Sequence, residues 1–249
     1  MTIVMEGIHK AFGTKQVLTG FSLDVQDGET VAVVGQSGTG KSVALKHVVG
    51  LLKADRGDVW VDGRNVGKMS LEELYEVRRN VGYVFQFAAL FDSLTIGENI
   101  SLGLRRVPGM TRSDIRDRIQ ECLDLVELEG YENRYPAELS GGQKKRAGLA
   151  RAIATQPDYL LYDEPTTGLD PVTTTVIDRL IIRTREELNV TAVLITHDME
   201  SAYRVADRIG MLYDGVIRFL GTPEEIKSCS DPVVRGFIEG KPELLEGAG

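Results

Sequence analysis

Val31-Ala32-Val33-Val34-Gly35-Gln36-Ser37-Gly38-Thr39-Gly40-Lys41-Ser42 is the stretch whose reading decides the fold. Four small or β-branched apolar residues in a row, without polar alternation, read as a strand covered on both faces, as in a parallel sheet. Glycines at 35, 38 and 40 let the backbone wrap tightly and aim N–H groups at an anion. The run 43–49 that follows reads as a helix whose N-terminus adds partial positive charge. Lys41 is suited to reach terminal phosphates and the Ser42 hydroxyl to ligate Mg²⁺. Residues Gly35, Gln36, Ser37, Gly38, Thr39, Gly40, Lys41 and Ser42 therefore form a candidate phosphate-binding loop between a strand and a helix.

Outward from this loop, further apolar runs of strand length occur at 82–85, 159–162 and 192–196, alternating with amphipathic stretches. This is the pattern of an α/β domain with a mostly parallel sheet. Two segments read instead as antiparallel hairpins: 58–63, and 209–220 with its turn at Asp214-Gly215. Between Phe87 and Glu138 the alternation breaks. Ile115, Ile119, Cys122, Leu123 and Val126 fall at helical spacing after a Thr111-x-x-Asp114 cap, which predicts a helical subdomain inserted in the core. From Gly221 the chain reads as a polar tail with one short helix at 223–227 and a mobile end at 246–249.

The 249 residues are 42% hydrophobic and 27% charged, the composition of an ordinary globular protein. A formal net charge of −8 argues against a duplex-binding role, which needs a field of Lys and Arg, so no nucleic acid is expected as a partner. Cys122 and Cys229 stand too far apart for a metal-ligand spacing, and suggest neither a disulfide framework nor a zinc site. The N-terminus lacks a secretory signal pattern, and no run approaches the roughly 20 apolar residues of a membrane helix.

The strand at 159–162 ends in Asp163-Glu164. A strand end delivers carboxylates to the edge where ligands of such sheets bind. Asp163 is placed to hold Mg²⁺ and Glu164 to act as general base toward an attacking water. Adjacent acids after a strand also occur as plain turns or caps; the phosphate-binding loop upstream and Pro165-Thr166-Thr167-Gly168-Leu169-Asp170-Pro171 downstream favour the catalytic reading.

With Leu139-Ser140-Gly141-Gly142-Gln143 added, residues 1–240 resemble the ATPase subunits of ABC transporters. The resemblance implies a P-loop NTPase ABC ATPase core with an antiparallel β subdomain and an inserted helical subdomain. It divides the chain into 1–86 with 151–222 as nucleotide-binding core, 87–150 as helical subdomain and 223–249 as tail. It also implies ATP and Mg²⁺ as ligands. Phe12 would stack on adenine; Gln86 would sense Mg²⁺ and water; His197 would contact the γ-phosphate. In a head-to-tail homodimer, Ser140, Gly141, Gly142 and Gln143 of one subunit would close on ATP held by the other, with Asp170 at the dimer interface. The catalytic set is then Lys41, Gln86, Glu164 and His197, and the metal set Ser42, Gln86 and Asp163. His9 and His47 lack any neighbouring motif and are assigned no role.

The resemblance further implies transmembrane permease subunits docking on the region from Phe87 to Asn99, and a peripheral location on the cytoplasmic face of the bacterial inner membrane. The stretches 86–95 and 231–240 are similar to ATPases of lipid-trafficking systems that work with MCE-type lipid-binding proteins. ATPases of amino-acid or other small-solute importers remain an alternative. A soluble ABC ATPase of DNA repair or translation is a third, although those carry two cassettes, long coiled coils or basic surfaces.

Overall fold

The computed structural model describes residues 2–246, which divide into two compact units, 2–74 with 191–246, and Tyr75–Val190. The first unit opens with β1 (Ile3–Phe12) and β2 (Lys15–Val25), an antiparallel pair that buries Ile3, Met5, Ile8, Leu18, Phe21, Leu23 and Val25. β3 (Thr30–Val34) is buried along its whole length and feeds the glycine loop and α1 (Lys41–Val48). β4 (Arg56–Val61) pairs with β1, and with the two-residue β5 (Arg64–Asn65) across a turn at Asp62-Gly63. Both turn residues have positive φ, as a two-residue hairpin requires. The four strands form a sheet in the order β2-β1-β4-β5. Sequence alone indicated only the 58–63 part of it.

α2 (Leu71–Arg79) leads into the second unit, where β6 (Val81–Val84) and β7 (Tyr159–Asp163) run parallel in the register Val84↔Tyr162. Three α-helices lie between them in sequence: α3 (Ile96–Leu104), α4 (Arg112–Leu125) and, after a 3-10 turn at Pro136–Glu138, α5 (Gly141–Ile153). Each starts with a reciprocal capping box, Thr95 with Glu98, Thr111 with Asp114 and Ser140 with Gln143. The last box starts α5 at Gly141. Buried Ile96, Ile100, Leu104, Cys122, Leu123, Ala147, Ala150 and Ile153 tie these helices together. α6 (Pro171–Leu188) follows β7, capped by Asp170 with proline at its first position.

The chain then returns to the first unit with β8 (Thr191–Thr196), α7 (Met199–Val205), β9 (Arg208–Tyr213) and β10 (Val216–Gly221). β8 and β9 flank β3 in parallel, and β10 closes the edge antiparallel to β9. The turn at Asp214-Gly215 has the positive φ values the sequence predicts. It is pinned to β2, where Thr19 Oγ1 donates to Asp214 O at 2.6 Å.

The tail departs from its reading. After α8 (Pro223–Ser228) come α9 (Pro232–Glu239) and α10 (Pro242–Glu246). Asp231 caps α9 through the amides of Val233 and Val234, and those two valines are fully buried. A helix of eight residues spans too few turns for its period to show in sequence. Of the mobile end expected at 246–249, Glu246 instead ends α10, and 247–249 lie outside the described residues. No helix among the described residues is long and apolar enough to cross a membrane.

Candidate functional site: a phosphate loop and a carboxylate strand end

In the first unit the loop after β3 is built by its own backbone. Gly35, Gly38 and Gly40 have positive φ, and the start of α1 has no side-chain cap. Gly40 is required twice over: its φ is 106°, and a Cβ there would come within 2.6 Å of Val17 Cγ1. Lys41 is only 4% exposed. Its Nζ donates to Gly35 O at 2.8 Å and Gln36 O at 2.9 Å, which holds the ammonium over the loop. Thr39 Oγ1 donates to Gln36 O at 2.8 Å and tightens the same turn. An uncapped helix start, a run of left-handed glycines and a positioned ammonium fit a triphosphate, because each contributes positive potential or N–H donors without filling the cradle. Ser37 is exposed at the loop tip, and Ser42 sits in the first turn of α1.

Two more expected residues belong to this unit. Phe12 ends β1 with its ring 47% exposed and Lys10 Nζ 5.7 Å from the ring centroid, so an aromatic face is presented to solvent. His197 follows β8, whose Thr196 pairs with Val34; the histidine thus leaves its strand beside the point where the glycine loop leaves β3. Asp198, next in sequence, caps α7 through the amides of Glu200 and Ser201 and fixes the chain's exit direction.

The second unit brings together a different set. Asp163, the last residue of β7, is buried, and its Oδ2 accepts from Tyr83 Oη at 3.0 Å. Burial, then the adjacent Asp163 carboxylate, raises the Tyr83 phenol well above its ordinary value, so it stays protonated and serves as a donor. Val84 pairs with Tyr162, so Phe85 and Gln86 leave β6 alongside Asp163 and Glu164. Among the described residues no cluster of three or more His, Cys, Asp or Glu side chains could cage a metal. Within this unit the buried Asp163 carboxylate and the Gln86 amide are oxygen donors of the hard kind that suits Mg²⁺.

Glu164 is buried and has φ 52°, a left-handed backbone rare for a residue with a side chain. Thr167 Oγ1 donates to its Oε2 at 2.6 Å, and Lys145 Nζ from α5 donates to its carbonyl at 3.3 Å. Burial lowers the Lys145 pKa to about 8, with Glu164 acting in the opposite sense. Ser140 Oγ accepts from Gln143 N at 3.3 Å. The Gln143 side chain works as a brace, accepting from Ser140 N at 2.9 Å and donating to Tyr131 Oη at 3.0 Å. Gly141 is exposed at the helix tip with Gly142 behind it. Asp170 Oδ1 accepts from the amides of Val172 and Thr173, each at 3.0 Å, and the Thr173 hydroxyl on its other oxygen holds its pKa low.

The segment after Gln86 is held by residues that motif reading missed. Ala88 and Ala89 both adopt positive φ. Arg151, near the end of α5, donates to Ala89 O and, at 2.8 Å, to Ala88 O. Gly148, one turn earlier, lets the segment approach closely: a Cβ there would stand 3.1 Å from Ala88 Cβ, tighter than ordinary contact. Asn99 is fully buried; it accepts from Phe91 N at 2.7 Å and donates to the carbonyls of Phe91, Leu94 and Thr95. Within the stretch from Phe87 to Asn99, the exposed large apolar side chains are Phe87 and Phe91, 85% and 57% exposed, beside exposed Ala89, Asp92, Ser93 and Glu98, and Asn99 is the internal strut. Tyr83, Lys145 and Arg151 carry no sequence signal of their own. Strand register and helix packing bring them to the site.

The loop, the carboxylate strand end and the serine-capped α5 are the parts of an ATP-binding cassette, and the ABC transporter family matches this chain over residues 18–167. The chain belongs to that family and is an ATPase, the ATP-binding subunit of a transporter. It is 40% identical over 241 residues to the probable ribonucleotide transport ATP-binding protein mkl of Mycobacterium leprae, covering 97% of this chain and 70% of that one. The sulfate/thiosulfate import ATP-binding protein CysA of Bacillus cereus is 39% identical over 251 residues, 99% of this chain and 69% of the relative. Among solved structures, the dimeric post-hydrolysis state of the ATP-binding cassette MJ0796 bound to ADP and Pi superposes with a TM-score of 0.82 at 34% identity, over 89% of this chain and 98% of that one.

Proposed function

We propose that this ATPase works as a homodimer with two composite ATP sites, each closed by the glycine loop of one subunit and the Ser140-Gly141-Gly142 helix tip of the other. The observation that carries this reading is that one chain holds two helix starts suited to anions, α1 and α5, in separate compact units. A relative that is dimeric with ADP and Pi supports it. Lys41 holds the terminal phosphates, Phe12 stacks on the base, and Asp170 lies at the subunit boundary. Glu164 orients the attacking water and takes its proton as the water oxygen bonds to the γ-phosphorus and the bridging oxygen leaves with ADP. His197 donates to the γ-phosphate, and Gln86 reports its presence to the segment that follows. Ser42, Gln86 and Asp163 would hold Mg²⁺, which when bound neutralises charge on the phosphate oxygens.

Functionally the chain divides into a core of 1–86 with 151–222, a helical subdomain of 87–150 and a tail of 223–249. The exposed Phe87 and Phe91 receive transmembrane permease subunits at the cytoplasmic face of the bacterial inner membrane, where the chain is peripheral. The cargo we infer is phospholipid, moved together with an MCE-type lipid-binding protein, on the likeness of 86–95 and 231–240 to such systems. Import of a small solute is the second reading, favoured by the 39% identity to a sulfate/thiosulfate import ATPase.

Glu164→Gln tests the dimer: the variant should retain ATP and shift from monomer to dimer by light scattering when ATP is added, and a variant that hydrolyses ATP at the parent rate would refute the role of Glu164. Co-purification of the membrane partner with mass spectrometry of bound lipid tests the cargo; a partner complex that carries no lipid and transports a small solute would refute it.

A further inference from the structure

Glu164 is placed by its backbone but not aimed by it. β7 ends at Asp163, and Glu164 leaves the strand with φ 52° immediately before Pro165, whose ring restricts the residue preceding it. The Glu164 carbonyl accepts from Lys145 Nζ at 3.3 Å and from Thr167 N at 3.3 Å. These contacts hold the peptide. A glutamate side chain still turns about several bonds beyond its Cα, and a carboxylate that takes a proton from one water must keep one orientation.

The Thr167 hydroxyl acts on the carboxylate itself. It donates to Oε2 at 2.6 Å, the distance of a charge-assisted bond from a hydroxyl to a carboxylate. Thr167 stands in the turn that follows Glu164, where Thr166 is buried, Leu169 N donates to Thr166 O at 3.2 Å, Gly168 has φ 79° and Asp170 then caps α6. The turn is therefore anchored by β7 on one side and α6 on the other. Thr167 already closes it through its backbone N–H, so the hydroxyl is not needed for the turn to form. A β-branched side chain is also stiff at χ1, which makes the donor a fixed one. A carboxylate offers about four lone-pair sites on its two oxygens, so a donor on Oε2 leaves Oε1 with capacity to accept a proton.

We propose that Thr167 is a positioning residue for ATP hydrolysis, its hydroxyl orienting the Glu164 carboxylate toward the attacking water. The water's proton passes to Oε1 as its oxygen bonds to the γ-phosphorus and the bridging oxygen leaves with ADP, while Oε2 keeps its bond from Thr167. The inference rests on Glu164 as the general base and needs neither the cargo nor the permease reading.

Phosphate release from Mg-ATP by the purified full chain, followed across ATP concentrations, tests this. Thr167→Val keeps the branched shape and loses the donor; kcat should fall about 10- to 100-fold, a share of the roughly 100- to 10,000-fold a general base contributes, with KM for ATP within about twofold of the parent. Thr167→Ser is smaller but keeps a hydroxyl, and its kcat should stay within about threefold of the parent, the reverse of the order that lost packing would give. An unchanged or faster kcat in Thr167→Val, a serine variant as slow as the valine one, or a KM that rises in step with the loss of kcat would overturn the proposal. Thr167→Ala removes the same donor without bulk at the turn and carries the test if Thr167→Val does not fold. Glu164→Gln separates this inference from the reading beneath it. Turnover at the parent rate in that variant would remove the general base and the role of Thr167 together. Turnover lost in Glu164→Gln but kept in Thr167→Val and Thr167→Ala would remove the role of Thr167 alone.

Discussion

Removing the Arg151 guanidinium tests how the segment after Gln86 is held. In the native structure Arg151 donates to two successive carbonyls, those of Ala88 and Ala89, whose residues both sit in the left-handed region. Hydrogen bonds from a charged donor contribute about 1.5–3 kcal/mol each, and each left-handed alanine costs roughly 1–2 kcal/mol that these bonds must offset. Against this, burial disfavours the charged guanidinium, as its lowered pKa reports, so its removal recovers desolvation energy. The net loss expected for Arg151→Ala is about 2–4 kcal/mol, confined to this segment because Asn99 still grips Phe91, Leu94 and Thr95. Hydrogen exchange followed by mass spectrometry on a peptide covering 85–91 reads the effect directly. The amides of Ala88, bonded to Phe85 O, and of Ala89, bonded to Phe87 O, should exchange about 30- to 1,000-fold faster at a cost of that size. Arg151→Lys should recover about half of the loss. Ala89→Gly in the Arg151→Ala background should recover about 1 kcal/mol, because glycine accepts positive φ freely. Unchanged exchange in Arg151→Ala would show that the loop is held by Asn99 and packing alone, and the reasoning would fail.

Other perturbations follow from the same geometry. Gly40→Ala forces a Cβ against Val17 at a φ that alanine resists, and should lower ATP affinity at least tenfold by equilibrium dialysis. Lys41→Ala removes the ammonium held over the loop and should reduce ATPase turnover by about 100-fold or more in a phosphate-release assay. Lys145 has a pKa of about 8 in the folded chain, below its ordinary value, so its charge beside Glu164 is present below pH 8 and lost above it. ATPase activity should fall as pH rises through that value and Lys145→Met should flatten the limb, whereas folding stability, penalised by the buried charge at low pH, should rise from pH 8 toward the ordinary lysine value.

Legibility was uneven along the chain. The buried strands at 31–34, 159–162 and 192–196 were readable because two-sided burial leaves an unbroken apolar run, and the Asp214-Gly215 turn because only a few residues tolerate its backbone. The β1–β2 pair went unread, since its bulges between Met5 and Ile8 and between Lys10 and Ala11 interrupt the alternation that marks a half-buried strand. The α9 helix was hidden by its length and by flanking prolines and glycines that mimic a loop. In the site, Asp170 and Gln143 could be named from sequence, but that their side chains are engaged in capping and bracing became visible only with their partners in place.

The amino-acid sequence determined by itself whatever depends on a short contiguous backbone: the glycine loop with Lys41 and Ser42, the carboxylates at a strand end, the serine cap of α5, and through them the family. Such motifs act through neighbours a few residues away, so spacing contains their geometry. Tertiary structure alone decided that Tyr83 donates to Asp163, that Lys145 reaches the Glu164 carbonyl, and that Arg151 clamps two strained alanines. These depend on strand register and helix packing, which arise only when distant segments pack and exclude water.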